Sequence, residues 1–430
     1  MNRSRVAKVV SAVLLAGAAF IVSAQAATPS QELTTENFIE HLNQHKSVFD
    51  AFRFLTGPGV QGNAELKGFA DQIAATSYSF LGRPNDAIRQ FPIHDREKAP
   101  DDLPDRGVFD PMPAVDWIAA QSANHQIIMI NESHHRSQTR LLTLALLPKL
   151  RALGFKYFAA ETFGETPLQA GYPTASSGYY TRDPIFSEIV REAAALGYTL
   201  VPYEFDGKND DSQQARETGE ARRLAEVIAR DPTAKILVHA GYGHISEAAH
   251  SQPRNADPMA LEFKRLTGLP VLSVDQTALT WEDGLGAERL AHEFAVTVPS
   301  VLLDHGTGNA WSATPEKFDA SVVLPTASPE ALRPDWLALG GKRHRIAIDM
   351  TPCIGHLPCL VTAQHANEGE DAIPADQFVM LDPSEAGTPL FLAPGSYRLQ
   401  LLGNDDHVLG KRELVVLPKP DTIQPDKASQ

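Results

Sequence analysis

Short apolar runs alternate with longer amphipathic stretches through residues 113–325 of the chain. The short runs predict buried strands, and the stretches with apolar residues every three or four positions predict helices. Such alternation is typical of a mainly parallel sheet, because consecutive parallel strands need a helical crossover. The predicted strands are residues 126–130, 157–160, 199–203, 235–239, 271–274 and, as a further candidate, 320–324. The predicted helices between them are residues 139–153, 184–196, 212–230 and 259–267.

The pattern differs on either side of this central part. Residues 27–112 contain helical periodicity and predict a helical N-terminal region. Beyond a linker, residues 341–418 contain short alternating strands with Pro and Gly turns, which predicts a small all-β sandwich. Residues 419–430 are rich in Pro, Lys, Asp and Gln and predict a disordered tail. We therefore expect an α/β domain at 113–335, with a mainly parallel sheet and flanking helices, between a small helical region and a β-sandwich.

The first 26 residues have the pattern of a secretory signal peptide. Arg3, Arg5 and Lys8 precede an apolar run that ends in small residues at Ala26. A membrane anchor is the alternative, but the apolar run is short for one. No later stretch approaches a spanning length, so we expect no membrane span in the mature chain and a periplasmic or secreted location.

Charge and cysteine content narrow the classes of partner. The net charge is −15, and removal of a leader that carries three basic and no acidic residues would make it −18. Nucleic acid and anionic membranes favour clustered Lys and Arg, so neither is expected as a partner. Cys353 and Cys359 predict a disulfide in an oxidising compartment. A metal site that adds His356 is the alternative.

Acids and histidines follow four successive predicted strands. Parallel strands open their loops into one crevice at their carboxyl ends, so these side chains should converge there. Carboxylates and imidazoles could bind a divalent metal or act as a general-base pair that deprotonates water. Glu204 could instead be solvated, and His239 could be a buried histidine with satisfied hydrogen bonds. The strand-end candidates are Glu132, His134, His135, Glu161, Glu204, His239 and His244.

The connection at residues 164–183 is long for an α/β unit and is typical of a lid or binding loop. Its tyrosines 172, 179 and 180 would offer flat, amphipathic surface to an organic ligand. We therefore list Tyr179 and Tyr180 as candidate substrate-binding residues. An irregular surface insertion is the alternative interpretation.

These residues resemble the superfamily of erythromycin esterases, ChaN-like haem-binding lipoproteins and Tiki proteases, over about residues 113–325. Its hallmark is a pair of Gly-x-x-His motifs with an acid and an arginine between them. Gly241-Tyr242-Gly243-His244 matches the second motif, and Asn131-Glu132-Ser133-His134 resembles the first, with Asn131 in the place of glycine. Glu161 resembles the acid, and Arg216, or else Arg222, resembles the arginine. The esterase branch would select His135 rather than His134.

The resemblance implies a hydrolase of ester or amide bonds that acts on a small-molecule or peptide substrate. Glu132, His134 or His135, Glu161 and His244 are the expected catalytic residues, and Arg216 would bind substrate. Glu204, from its strand-end position, is a further candidate for substrate binding. Glu132, His134, Glu161 and His244 could also hold one divalent metal. A haem- or metal-binding module without turnover is one alternative. A scaffold whose β-sandwich binds a protein partner is another.

Overall fold

The computed structural model describes residues 33–91, 103–205, 207, 210–279, 285–328 and 330–418. The predicted signal peptide, residues 1–26, and the predicted tail, residues 419–430, lie outside these ranges. The chain divides into two compact units. The first contains the described residues up to Pro334 together with Asp371–Ile373, and the second contains the rest.

An eight-stranded, mostly parallel sheet organises the first unit. Its strands are β1 (Phe109–Pro113), β2 (Ile127–Glu132), β3 (Tyr157–Ala160), β4 (Thr199–Pro202), β5 (Ile236–Gly241), β6 (Val271–Asp275), β7 (Ser300–Asp304) and β8 (Ala320–Val323). Their spatial order is β1-β7-β8-β6-β2-β5-β3-β4. The strands from β8 to β4 in this order are parallel, which confirms the predicted mixed α/β class.

Helices precede and flank this sheet. The N-terminal helices are α1 (Phe38–Asn43), α2 (Val48–Thr56), α3 (Pro58–Gln61), α4 (Lys67–Phe80) and α5 (Pro84–Gln90). The later ones are α6 (Ala114–Gln121), α7 (Leu141–Ala152), α8 (Pro184–Ala195), α9 (Gln213–Arg230), α10 (Met259–Thr267) and α11 (Leu285–Glu293). Asp183 caps α8 and Ser212 caps α9 through their side chains, because short polar side chains can bond the unpaired N–H groups of a first turn.

Strands β1 and β7 are absent from the strands that the alternating pattern predicted. Both strands are antiparallel neighbours at one side of the sheet, with Phe109 opposite Asp304. Strand β1 reads Phe-Asp-Pro-Met-Pro, and proline lacks the N–H that an inner strand needs. An edge position makes that proline content acceptable, and a local pattern does not reveal which strand is at an edge.

The core of the first unit forms where β2 and β5 pack against the later helices. Ile127, Met129 and Val238 are fully buried together with Leu224 of α9 and Phe263 of α10. Each such side chain contributes roughly 1.5–3 kcal/mol when it leaves water. Burial of β2 and β5 on both faces therefore holds their carboxyl ends in a rigid position. Within the described residues, no helix combines the length and apolar character that crossing a membrane requires.

The second unit is built from antiparallel strands, as predicted. They are β9 (His344–Ile346), β10 (Cys359–His365), β11 (Asp376–Met380), β12 (Leu390–Leu392), β13 (Gly395–Leu402) and β14 (Val408–Val416). Four form a sheet in the order β11-β10-β13-β14, and β12 pairs with β9. Cys353 and Cys359 form a disulfide, which confirms that prediction.

Candidate active site

The candidate site lies at the carboxyl ends of β2, β5 and β3. Strand β5 is paired with both neighbours in parallel, so that Glu132 lies beside Gly241 and Ala160 lies beside His239. The residues that follow each strand therefore meet at one edge of the sheet. This is where the strand-end pattern predicted that the acids and histidines would converge.

Glu132 is a buried carboxylate held by a buried arginine. Arg140 donates from Nε to Glu132 Oε2 at 2.6 Å and from Nη2 to Glu132 Oε1 at 3.0 Å. Burial alone would raise the pKa of Glu132, but Arg140 and the hydrogen bonds from His134 and His239 outweigh it and place the pKa well below its ordinary value. Glu132 is therefore ionised and a weak base.

Glu132 determines the direction of the His134 ring. The Nδ1 atom of His134 lies 2.9 Å from Glu132 Oε1, and an ionised carboxylate can only accept, so Nδ1 carries the proton. The Nε2 atom then has a lone pair, and it has no hydrogen-bond partner within the described ranges. Tyr180 stacks on this ring at a centroid distance of 3.9 Å, and Tyr242 meets it edge-on at 4.9 Å. These contacts select His134 as the partner of Glu132.

Gly241 is the point where His134 and Glu161 approach each other. A Cβ atom at this position would overlap the His134 ring and would lie 3.0 Å from Glu161 Oε2. The backbone N–H of Gly241 also donates to Glu161 Oε2 at 2.6 Å. The glycine of the second motif therefore provides room for the two side chains rather than a left-handed backbone.

His239 is the buried histidine that its strand position suggested. Its Nε2 atom donates to Glu132 Oε2 at 2.9 Å, and its Nδ1 atom lies 2.8 Å from Thr143 Oγ1. Both ring nitrogens are thus satisfied. His239 and His134 therefore contact different oxygens of the Glu132 carboxylate.

A second cluster surrounds Arg216. The Arg216 guanidinium contacts Glu161 at 2.7 Å, Glu204 at 3.1 Å and Glu220 at 2.9 Å. Its Nη1 atom lies 3.3 Å from His244 Nε2. Three carboxyl groups therefore surround the positive charge of Arg216. Arg222, the alternative arginine, is exposed on α9.

His244 has carboxylates on two sides. Its Nδ1 atom lies 2.9 Å from Glu217 Oε2, and its Nε2 atom lies 3.9 Å from Glu161 Oε1. Burial opposes a charge on His244, yet Glu217, Glu161 and Glu220 together raise its pKa to about 10. Burial would raise the pKa of the Glu161 carboxyl, but His244 and Arg216 outweigh it and lower that pKa to about 2.

The remaining acids of the cluster favour protonation. Burial raises the pKa of Glu220 well above its ordinary value, even though Arg216 opposes this. The pKa of Glu204 is also raised by burial, against the influence of Arg216. Protonation of either acid would reduce the excess of buried negative charge around Arg216.

Asn131 has an extended backbone, and both polar atoms of its side chain form hydrogen bonds. It lies inside β2 and is buried, so no left-handed conformation that would favour glycine is needed here. Its Nδ2 atom donates to the carbonyl of Tyr242 at 2.8 Å and to Asp275 at 2.6 Å, and Oδ1 accepts from the N–H of Gln276. Tyr242 has a φ of 41°, which is uncommon for a residue with a side chain. Asn131 thus holds the turn that presents His244.

The other predicted residues line the same region. The His135 ring stacks on Phe91 at 3.9 Å, and its Nδ1 atom lies 3.3 Å from the Tyr242 hydroxyl. Tyr179 packs edge-on against Phe80 of α4. In the 164–183 connection, Tyr180 thus covers the His134 ring, and Tyr179 contacts the N-terminal helices.

The expected metal ligands do not share one ion-sized space as arranged. Both oxygens of Glu132 accept hydrogen bonds from Arg140 and the two histidines, and the Arg216 guanidinium lies between Glu161 and His244. A cation there would meet a resident positive charge. Among the described residues, the group whose ligand atoms lie within 4.8 Å of one another is Glu217, Glu220 and His244.

Sequence reasoning missed Arg140, Asp183, Glu217 and Glu220. Arg140 and the two glutamates have the spacing of charged residues on exposed helix faces, which is their usual location. One signal was present: Glu217 and Glu220 are next to Arg216 or one turn from it, on the same helix.

Comparisons with known proteins add no family. No family model matches the chain, and neither the curated proteins nor the solved structures contain a match.

Proposed function

We propose that this protein hydrolyses ester or amide bonds, with His134 as the base that deprotonates water. The supporting observation is the 2.9 Å contact between His134 Nδ1 and Glu132, which leaves the Nε2 lone pair directed away from Glu132. A histidine oriented by a carboxylate is a common base, because its lone pair is presented at a fixed position. The resemblance of both motifs to the esterase and Tiki group agrees with this reaction.

Glu132 has a positioning role in this proposal. Its low pKa makes it a poor proton acceptor, whereas its charge stabilises the imidazolium that forms when His134 takes a proton. The water oxygen would attack the carbonyl carbon as His134 takes its proton, and negative charge would develop on the carbonyl oxygen. Arg216 and protonated His244 would stabilise that charge from the Glu161 side of the site. When the carbonyl re-forms, the C–O or C–N bond would break, and His134 would give the proton to the leaving alcohol or amine.

The proposed location is periplasmic or secreted. The predicted leader at residues 1–26 supports export, and the Cys353–Cys359 disulfide agrees with an oxidising compartment. The substrate would be a small molecule or a peptide, and the antiparallel strands of residues 341–418 would form a sandwich that can bind a protein partner.

The decisive experiment measures hydrolysis of a panel of aryl esters, lactones and peptides by the purified chain and its His134→Gln variant. We expect activity that falls by about 100-fold or more in His134→Gln, in the range of a lost general base. His305→Gln is the matched control, because His305 is 42% exposed and pairs with Asp110 elsewhere in the unit. Equal activity of His134→Gln and the wild type would overturn the proposal.

A binding module for haem or a metal is the second candidate. Histidines that donate one ring N–H to a carboxylate often ligate metals through the other nitrogen, and His134 has this arrangement. Titration with haemin would produce a Soret band that is lost in His134→Gln. If none of the esters, lactones and peptides is hydrolysed and haemin gives that band, the result would favour this function over hydrolysis.

A further inference from the structure

Arg140 is one of the largest side chains that are fully buried among the described residues. Besides its two bonds to Glu132, it donates from Nη2 to the carbonyl of His134 at 3.0 Å. Its Nη1 atom lies 2.8 Å from Asp183 Oδ2. One guanidinium therefore joins Glu132 at the end of β2, the backbone of His134 two residues later and the start of α8.

Stability alone is a weak reason for this arrangement. Moving an arginine and two carboxylates out of water is costly, and well-packed apolar residues are often at least as stabilising. Arginine does offer a planar set of donors that fixes a carboxylate in two-point contact. A buried arginine at this place is better explained by what it orients.

Asp183 connects Arg140 to Tyr180, whose ring covers one face of the His134 ring. It accepts from the N–H groups of Ile185 and Phe186 through Oδ1 and caps α8. Its own N–H donates to the carbonyl of Tyr180 at 3.1 Å. Since Tyr180 stacks on His134, the position of Asp183 affects the position of the Tyr180 ring over His134.

We propose that Arg140 is the positioning residue of the His134 site: it fixes the Glu132 carboxylate directly and the Tyr180 ring through Asp183. The direction of His134 Nε2 is then determined on two sides, at its Nδ1 atom and at its ring face. This inference rests on the proposed hydrolysis, in which His134 is the base. It assigns Arg140 no contact with substrate.

The test combines kinetics with nitrogen NMR of ¹⁵N-histidine-labelled protein, in which His134→Gln assigns the His134 signals. Arg140→Lys keeps the charge but loses the two-point contact with Glu132. We expect kcat to fall by about tenfold or more with KM changed by less than about threefold, as displacement of a catalytic group does. The His134 signals should change from the Nδ1-protonated form to a tautomer mixture. Arg333→Lys is the matched control, because Arg333 is also buried but donates to the carbonyl of Gly82.

Unchanged kcat and an unchanged tautomer in folded Arg140→Lys would overturn the inference. If that variant does not fold, Asp183→Asn is measured instead, because it weakens the contact between Asp183 and Arg140 and leaves the two-point contact between Arg140 and Glu132 in place. A fall in kcat and a changed ring-current shift at His134 would support the inference, and wild-type values would overturn it. The NMR signals need no turnover. A wild type without hydrolysis but with an Arg140-dependent tautomer would therefore refute the proposed function and still support the positioning role.

Discussion

His134 Nδ1 and Glu132 Oε1 lie 2.9 Å apart, and the carboxylate of Glu132 is itself fixed by Arg140. Glu132→Gln should preserve the shape but remove the charge that orients His134, so we expect kcat to fall by about 10- to 100-fold. Initial rates and circular dichroism measure the effect on activity and fold. Glu165→Gln is the control, because Glu165 is 83% exposed. Activity of Glu132→Gln within twofold of the control would contradict the assignment.

Gly241→Ala should disrupt the site through steric overlap. Its added Cβ would overlap the His134 ring and crowd Glu161, both of which are held by hydrogen bonds. We expect a loss of stability of about 1–3 kcal/mol, as in other overpacked sites, and loss of most activity. Gly68→Ala is the matched control, since nothing lies within 4 Å of its added Cβ in helix α4. A variant of Gly241 as stable and active as that control would show that the two side chains move apart easily.

Glu161 should stabilise the fold in neutral but not in strongly acidic solution. Its pKa in the folded protein is about 2 against an ordinary 4.5, so its contribution is present above about pH 4.5 and disappears as the pH falls towards 2. The difference in free energy of unfolding between wild type and Glu161→Gln should therefore shrink over that range. Urea titrations at several pH values measure it, with Glu165→Gln as control. A difference that stays constant down to pH 2 would refute the effect.

His244 should show the opposite dependence. Its pKa rises from 6.5 to about 10 in the folded protein, so the stabilisation is complete below about pH 6.5 and is lost as the pH rises through 10. The stability difference between wild type and His244→Gln should decline between these values, as thermal unfolding at pH 6, 8 and 10 would show. His305→Gln should follow the wild type. A difference that grows with pH would mean that His244 is neutral in the folded protein.

Asn131→Gly tests whether the Asn131 side chain is needed for the fold and the site. The variant loses the hydrogen bonds to Tyr242, Asp275 and Gln276, so we expect destabilisation of about 2–4 kcal/mol, from the unpaired groups it leaves buried. We also expect lower activity, because the turn that carries His244 is held less firmly. Asn124→Gly, at an exposed position before β2, is the control. Increased activity of Asn131→Gly would contradict the role given to Asn131.

The sequence by itself was sufficient for the central strands and for the convergence of their end residues. Apolar runs such as residues 126–130 are local signals, and parallel pairing brings Glu132, Glu161 and His239 to one edge whatever the details of packing. The antiparallel strands and the disulfide of the second unit followed from equally local patterns. Proline-containing β1 escaped this reasoning because its edge position depends on the whole sheet.

Only the tertiary structure decided which side chains contact one another. Two adjacent histidines are equivalent in a motif, yet the His134 ring contacts Glu132, while the His135 ring stacks on Phe91. Arg140 looks like a surface residue at the start of a helix, yet it is fully buried and contacts Asp183, which is distant in sequence. Charge pairing in the interior depends on distances of a few ångströms between remote segments, and local periodicity contains no information on those distances.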